Sequence, residues 1–207
     1  MAWAATLLRC AACVALLLAA PACGDDDDDD DPPEDMCKLG YLGVQGAEIQ
    51  MEVMALDSSE VSRPVSDGDV VDIIMPPQGG RVIFLGARAT NLSACGVQLS
   101  GTLRDTGSGR IMSESRTVNL KPTGDGWGAS VDADISTFAN VGVCHNNWSS
   151  RDIFDQDYEI EVKVKDREGR EATQTRRVRP ACNQPDELEV ECRCICKHGY
   201  ILGERCE

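Results

Sequence analysis

The sequence predicts an all-β protein, an antiparallel sandwich ending in a small disulfide-rich C-terminal hairpin. Three observations predict it. Residues 158–165, Tyr-Glu-Ile-Glu-Val-Lys-Val-Lys, alternate apolar and charged side chains strictly, which is the period of a half-buried strand. Between about 44 and 180, similar short runs recur between turn signals, with no long amphipathic helix among them. Residues 182–207 hold five cysteines, a density that points to a stapled end.

The strands are expected at 48–56, 70–75, 81–90, 97–105, 111–120, 127–132, 158–165 and 170–178, each a run rich in residues that suit a pleated sheet. Asp67-Gly68, the Pro-Pro-Gln-Gly-Gly run at 76–80, Thr-Gly-Ser-Gly at 106–109 and Thr-Gly-Asp-Gly at 123–126 punctuate them. Asp166-Arg167-Glu168-Gly169 turns the 158–165 strand into its hairpin partner, which is weaker and rich in Thr and Arg. Seven or eight short strands with regular turns suit a sandwich of immunoglobulin or fibronectin III type, with a closed barrel as the competing architecture. Residues 157–169 resemble the penultimate strand and final turn of bacterial Ig-like domains. That resemblance implies a tyrosine corner at Tyr158, its hydroxyl bonded back to nearby backbone.

The N-terminal segment bears on location. Arg9 is the only charge before Cys23, and the apolar run 10–20 fits a signal-peptide core while being too short to span a bilayer. The run Leu16-Leu17-Leu18-Ala19-Ala20-Pro21-Ala22-Cys23-Gly24, followed by seven aspartates at 25–31, resembles the processing site of a bacterial lipoprotein. The resemblance implies a signal peptide at 1–22, lipidation at Cys23, and a protein held to the membrane through its lipid. Ala20 departs from the leucine preferred there, and Ala20-Pro21-Ala22 also suits cleavage by the ordinary signal peptidase.

Cysteine parity favours lipidation. Two of the eleven cysteines leave with the signal, and lipidating Cys23 leaves eight, an even set for an oxidising compartment. Gly24 rather than Asp follows Cys23, so the best-known rule for inner-membrane retention does not apply. The outer membrane is expected, with the periplasmic and surface faces both open. Residues 23–36 read as a lipidated, self-repelling acidic tether. The formal net charge of −15, with no basic stripe, disfavours nucleic acid.

The domain boundaries follow: an Ig-like sandwich at 37–181 and a cysteine-rich tail at 182–207. Cys194-Ile195-Cys196-Lys197-His198-Gly199-Tyr200, with Cys206 beyond, resembles the last part of an EGF-like module. By that resemblance Cys196 pairs with Cys206, Gly199 makes the turn and Tyr200 packs on it. The tail holds five cysteines where a full module needs six, and no calcium site carries over from the family. Cys95 is expected to pair with Cys144, as the two internal cysteines of the sandwich. Zinc is the rival for the Cys-x-Cys-x-Cys run, but its favoured ligand spacing is wider and an oxidising compartment favours disulfides.

No sequence motif names a reaction. Nucleophile elbow, phosphate loop, zinc-protease and dinucleotide signatures are missing, and His145 and His198 are the only imidazoles. The chain is therefore expected to be non-catalytic and to need no cofactor, acting as a lipid-anchored envelope module for binding or adhesion. A structural subunit of an envelope complex is the alternative, and a small hydrolase using loop carboxylates is the alternative of another class. The long stretch 141–157 is the expected binding loop. Asn146, Asn147, Trp148 and Arg151 are its candidates for contacting a protein or glycan, against the plainer reading of Trp148 as a loop pin. Asp152, Asp155 and Asp157 are a candidate Ca²⁺ set, against the plainer reading of solvated acids in a turn.

Overall fold

The computed structural model describes residues 38–206; the signal segment, Cys23, the acidic tether and Cys37 lie outside the described residues. Thirteen strands follow in chain order: β1 (Tyr41–Leu42), β2 (Gln50–Leu56), β3 (Ser62–Pro64), β4 (Asp69–Asp72), β5 (Arg81–Thr90), β6 (Leu92–Ser93) and β7 (Val97–Arg104) come first. Then come β8 (Ile111–Val118), β9 (Lys121–Pro122), β10 (Gly128–Ala129), β11 (Ala139–Cys144), β12 (Tyr158–Lys165) and β13 (Glu171–Ala181). One helix, α1 (Glu187–Ile195), follows the last strand.

The strands form an all-β sandwich of the Ig-like kind. One sheet runs β3-β2-β5-β10-β9, with β11 also paired to β5, and the other runs β4-β13-β12-β7-β8. Pairing is antiparallel except where β4 lies parallel to β13. The alternation in 158–165 sets the register of the second sheet. Tyr158, Ile160, Val162 and Val164 are fully buried, and Leu103, Gly101 and Leu99 of β7 stand directly opposite the last three. At Gly101 the two sheets approach closely. A β-carbon there would sit 2.9 Å from that of Ala139 and 3.1 Å from that of Leu85 on the facing sheet, so a side chain would wedge the sandwich open.

The sandwich has two distinct ends. At one, the chain enters: β1 pairs with β6, Arg170 Nη2 donates to the Tyr41 hydroxyl at 2.9 Å, and that hydroxyl donates to the Asn91 carbonyl at 2.8 Å. At the other lie the β7–β8 turn, the segment 145–157 and the tail.

Three expectations change. Residues 141–144, read as loop, belong to β11, whose Ala139, Val141 and Val143 point inward against β5. The expected strand at 127–132 shrinks to β10; beyond it the Ser130 amide still donates to the Ala87 carbonyl of β5, while its hydroxyl donates to the Thr137 carbonyl. The disulfide-rich tail begins with helix α1 before its chain doubles back, and it has no core of its own: Cys192, Ile195 and Cys196 pack into the same apolar cluster as Val71 and Ile73.

Val162→Asp should bury an unpaired carboxylate at the centre of β12 and cost several kcal/mol, enough to prevent folding. Lys163→Asp removes only an exposed pair with Glu171 and should change stability by less than about 1 kcal/mol. Urea unfolding followed by far-UV circular dichroism checks both.

Candidate functional site

Helix α1 decides the chemistry of the tail. Cys-x-Cys-x-Cys on a strand would put all three sulfurs on one face, but on a helix residues 192 and 196 share a face while 194 points away from it. Cys192 and Cys196 therefore turn inward, where Cys192 bonds Cys182 at the end of the β13 strand and Cys196 bonds Cys144 at the end of β11. Cys194 is left to meet Cys206 as the chain returns. The expected Cys196–Cys206 pair is thus corrected to Cys144–Cys196 and Cys194–Cys206. The expected Cys95–Cys144 pair is corrected as well: Cys95 is disulfide-bonded, but the other six described cysteines pair among themselves.

A buried arginine adds a third tie. Arg81, at the start of β5, is almost fully buried. Its guanidinium donates to Gln184 Oε1 at 2.6 Å, to the Leu188 carbonyl at 2.7 Å and to Glu191 at 2.9 Å, while Nε has no partner. Burial lowers its pKa and Glu191 opposes that shift.

The segment 145–157 lies against this tail and is held closely. Asn146 is buried; its side-chain amide donates to the Arg151 and Cys196 carbonyls and accepts from the Ser149 amide. Trp148 is buried too, its indole N–H donating to the Val143 carbonyl at 2.9 Å. The Tyr158 ring lies 6.1 Å from the indole, and its hydroxyl donates to the Asp152 carbonyl at 3.0 Å, closing a tyrosine corner. Burial pushes the Tyr158 phenol up to about 12, so it stays protonated and able to donate.

Asp105, at the end of β7, is the electrostatic centre of the cap. It is wholly buried and accepts four hydrogen bonds, from the Ser150 amide and hydroxyl at 2.8 and 2.6 Å, the Ser108 hydroxyl at 2.7 Å and the Gly107 amide at 2.8 Å, and it pairs with Arg151 Nε at 3.2 Å. Burial by itself opposes ionisation, but the donors from Ser150, Ser108 and Gly107 prevail and hold the carboxyl well below the usual range. One carboxylate thereby fixes both the β7–β8 turn and the start of the 149–151 segment.

The residues read from sequence as a binding and metal loop therefore serve other ends. Asn146 and Trp148 are scaffold, and Arg151 is engaged with Asp105; of the four, only Asn147 is exposed. The three aspartates do not converge. Asp152 accepts from the His198 amide at 2.7 Å, Asp155 pairs with Arg193 at 2.7 Å and Asp157 with Arg179 at 3.3 Å. Among the described residues, the one close group of three metal-ligating side chains is Cys182, Cys192 and Cys196, whose sulfurs are in disulfides.

Nor do the imidazoles reach a nucleophile. His145 stacks on Tyr200 at 5.3 Å, and His198 Nδ1 lies 3.0 Å from the Ser149 carbonyl. The cleft between β2–β3 and β4 is lined by Asp57, Asp69 and Asp72, each already accepting backbone amides.

Sequence reasoning missed Arg81 and Asp105. Asp105 leaves a faint trace, since an Asp just before Thr-Gly-Ser-Gly is a turn-capping pattern. Arg81 leaves none, because its partner Glu191 is 110 residues away.

What this end exposes is the tip of the tail. Ile201 and Leu202 are 73% and 78% exposed, on a turn closed by the Glu204 amide donating to the Ile201 carbonyl at 2.9 Å. Gly203 takes the left-handed φ of +91° that the turn demands. Cys194–Cys206 staples its base, and Lys197 pairs with Glu204 across it. Comparison with known protein families and with curated proteins finds no match for the chain.

Asp105→Asn should cost about 2–4 kcal/mol at neutral pH, since a buried network loses its charge. Because the folded carboxyl titrates below its unfolded value, its contribution is present above about pH 4 and is lost as pH falls below that. The acid limb of the stability curve should therefore be flatter in the variant, as urea midpoints measured from neutral to low pH would show. Trp148→Ala should destabilise by about 3–5 kcal/mol, the cost of emptying a packed aromatic site, with a matching fall in melting temperature.

Proposed function

We propose that this chain is a lipid-anchored, non-catalytic binding module of the cell envelope, held at Cys23 and presenting the tip of its tail to a protein partner. The observation that carries the reading is the exposed Ile201–Leu202 pair on a stapled turn. It lies at the end of the sandwich remote from the one where the chain enters at Tyr41.

Two neighbouring aliphatic side chains in water are a standing gain for any partner that covers them, at about 25 cal/mol per Å² of apolar surface removed. The staple and turn fix their positions beforehand, so little ordering is left to oppose association. Apolar anchors on a rigid support are what binding hot spots use. The exposed Asn147 and Arg205, at the same end, supply polar groups for the rim.

Cys23→Ser should move the protein from the membrane to the soluble fraction, and the mature wild type should show the mass of a diacylated Cys23. Ile201→Ser with Leu202→Ser should abolish partner capture from detergent-solubilised native membranes while leaving the melting temperature within a degree or two of wild type. Undiminished capture by that double variant would remove the tip from the reading, and a Cys23→Ser protein still in the membrane pellet would remove the anchor.

A further inference from the structure

The two disulfides that fasten the tail to the sandwich stand side by side. Cys192 and Cys196 occupy successive turns on one face of α1, and their sulfurs are 3.9 Å apart although they belong to different disulfides. Cys182 completes a group whose sulfurs all lie within 4.8 Å of one another. Those three cysteines are buried, whereas Cys144 is part-exposed. A thiolate at either helical position is thus at contact distance from the other disulfide.

We propose that this cluster is a thiol–disulfide exchange site, a redox-sensitive catch in which opening one disulfide undoes both. The co-reactant is a dithiol, either a small molecule or a Cys-x-x-Cys oxidoreductase. One of its thiolates attacks the accessible Cys144 sulfur; the Cys144–Cys196 bond breaks and the electron pair leaves on Cys196. That thiolate is buried at a helix C-terminus, where both the apolar surroundings and the helix dipole disfavour negative charge, so it is driven on to the next sulfur. It attacks Cys192, the Cys192–Cys196 bond forms, the Cys182–Cys192 bond breaks, and Cys182 departs as a thiolate and takes a proton. The second thiol of the dithiol then displaces Cys144, which also takes a proton. One dithiol has been oxidised, and two electrons and two protons have gone to Cys144 and Cys182.

Entry at Cys182–Cys192 leads to the same product through the mirror sequence. Residues four apart in a helix have Cα atoms about 6 Å from one another, inside the range of about 4.4–6.8 Å that a disulfide spans. Forming the product draws their β-carbons, about 5–6 Å apart on a regular helix, to the roughly 4 Å of a disulfide, so the last turn of α1, which ends at the Cys196 cap, tightens.

The consequence is mechanical. Before exchange the tail is covalently joined to the sandwich at the ends of both β11 and β13. Afterwards the cross-links Cys192–Cys196 and Cys194–Cys206 are both internal to the tail. Only non-covalent contacts then fasten it to the strand ends: Arg81, the packing of Ile195 in the common core, and the contacts between segment 145–157 and the tail. This inference does not depend on the binding reading above.

Limited reduction of the full oxidised protein with dithiothreitol, acid quenching, alkylation and peptide mapping tests it. In molecules alkylated at Cys144, the second alkyl group should sit on Cys182 in the majority, with a Cys192–Cys196 link present. A second alkyl group on Cys196 with Cys182–Cys192 intact would overturn the proposal, as would Cys144 resisting alkylation until every disulfide opens together. In Cys144→Ser the proposal expects the unpaired thiol at Cys182, and finding it at Cys196 would refute it. Should that variant not fold, the wild-type mapping decides alone.

Discussion

A nine-residue helix is too short to persist in water, where isolated helices of fewer than about 12–15 residues are marginal. Everything at the far end of this molecule depends on how α1 is held. Two disulfides bind it to the strand ends, Arg81 binds its first turn, and Ile195 seals it into the common core. Arg193 reaches the other way, pairing with Asp155 and lying 5.0 Å over the Phe154 ring. The loop is in turn supported by the tail: the Asn146 and Ile153 amides donate to the Ile195 and Cys196 carbonyls, each at 3.0 Å. Each segment is thus held in part by the other.

Asp105 complements that arrangement from the sandwich side. A buried carboxylate is costly unless donors surround it, and here the donors come from a turn and a loop that would otherwise be free to move. The expense of burying the charge is thereby converted into a fixed conformation for both. Tyr158 and Trp148 do the same with neutral groups: the Tyr158 hydroxyl donates into the loop at the Asp152 carbonyl, and the Trp148 indole ties the loop to the Val143 carbonyl of β11. The result is an end in which polar side chains look inward, and the large apolar side chains Ile201 and Leu202 look outward. The proposed partner surface rests on that inversion.

The sheet was the most legible part of the chain. Strand β5 spans the 81–90 read from its apolar run, and β12 the 158–165 read from strict alternation, because local side-chain period dictates which face is buried. Strand β11 was less legible: Ala139, Val141 and Val143 are few, and Gly142 and Asn140 between them read equally well as loop. Tyr158 was foreseen as a corner because its place at a strand start carries meaning. Trp148 read either as a binding residue or as a loop pin, because sequence cannot show that its indole is buried, nor that Arg151 is engaged with Asp105.

The sequence by itself determined the all-β class, the position of the main strands and the presence of a stapled end, since periodicity, turn chemistry and cysteine density are local properties. Tertiary structure alone decided which cysteine meets which, what Arg81 and Asp105 do, and where the aspartates of 152–157 point. The physical reason is separation along the chain. Cys196 finds Cys144 across 52 residues, and Arg81 finds Glu191 across 110. The helix that opens the tail turns Cys194 and Cys196 to opposite sides. Nothing in a linear pattern of three cysteines distinguishes a period of 2 from a period of 3.6, and the packing of nine residues against the end of a sandwich does.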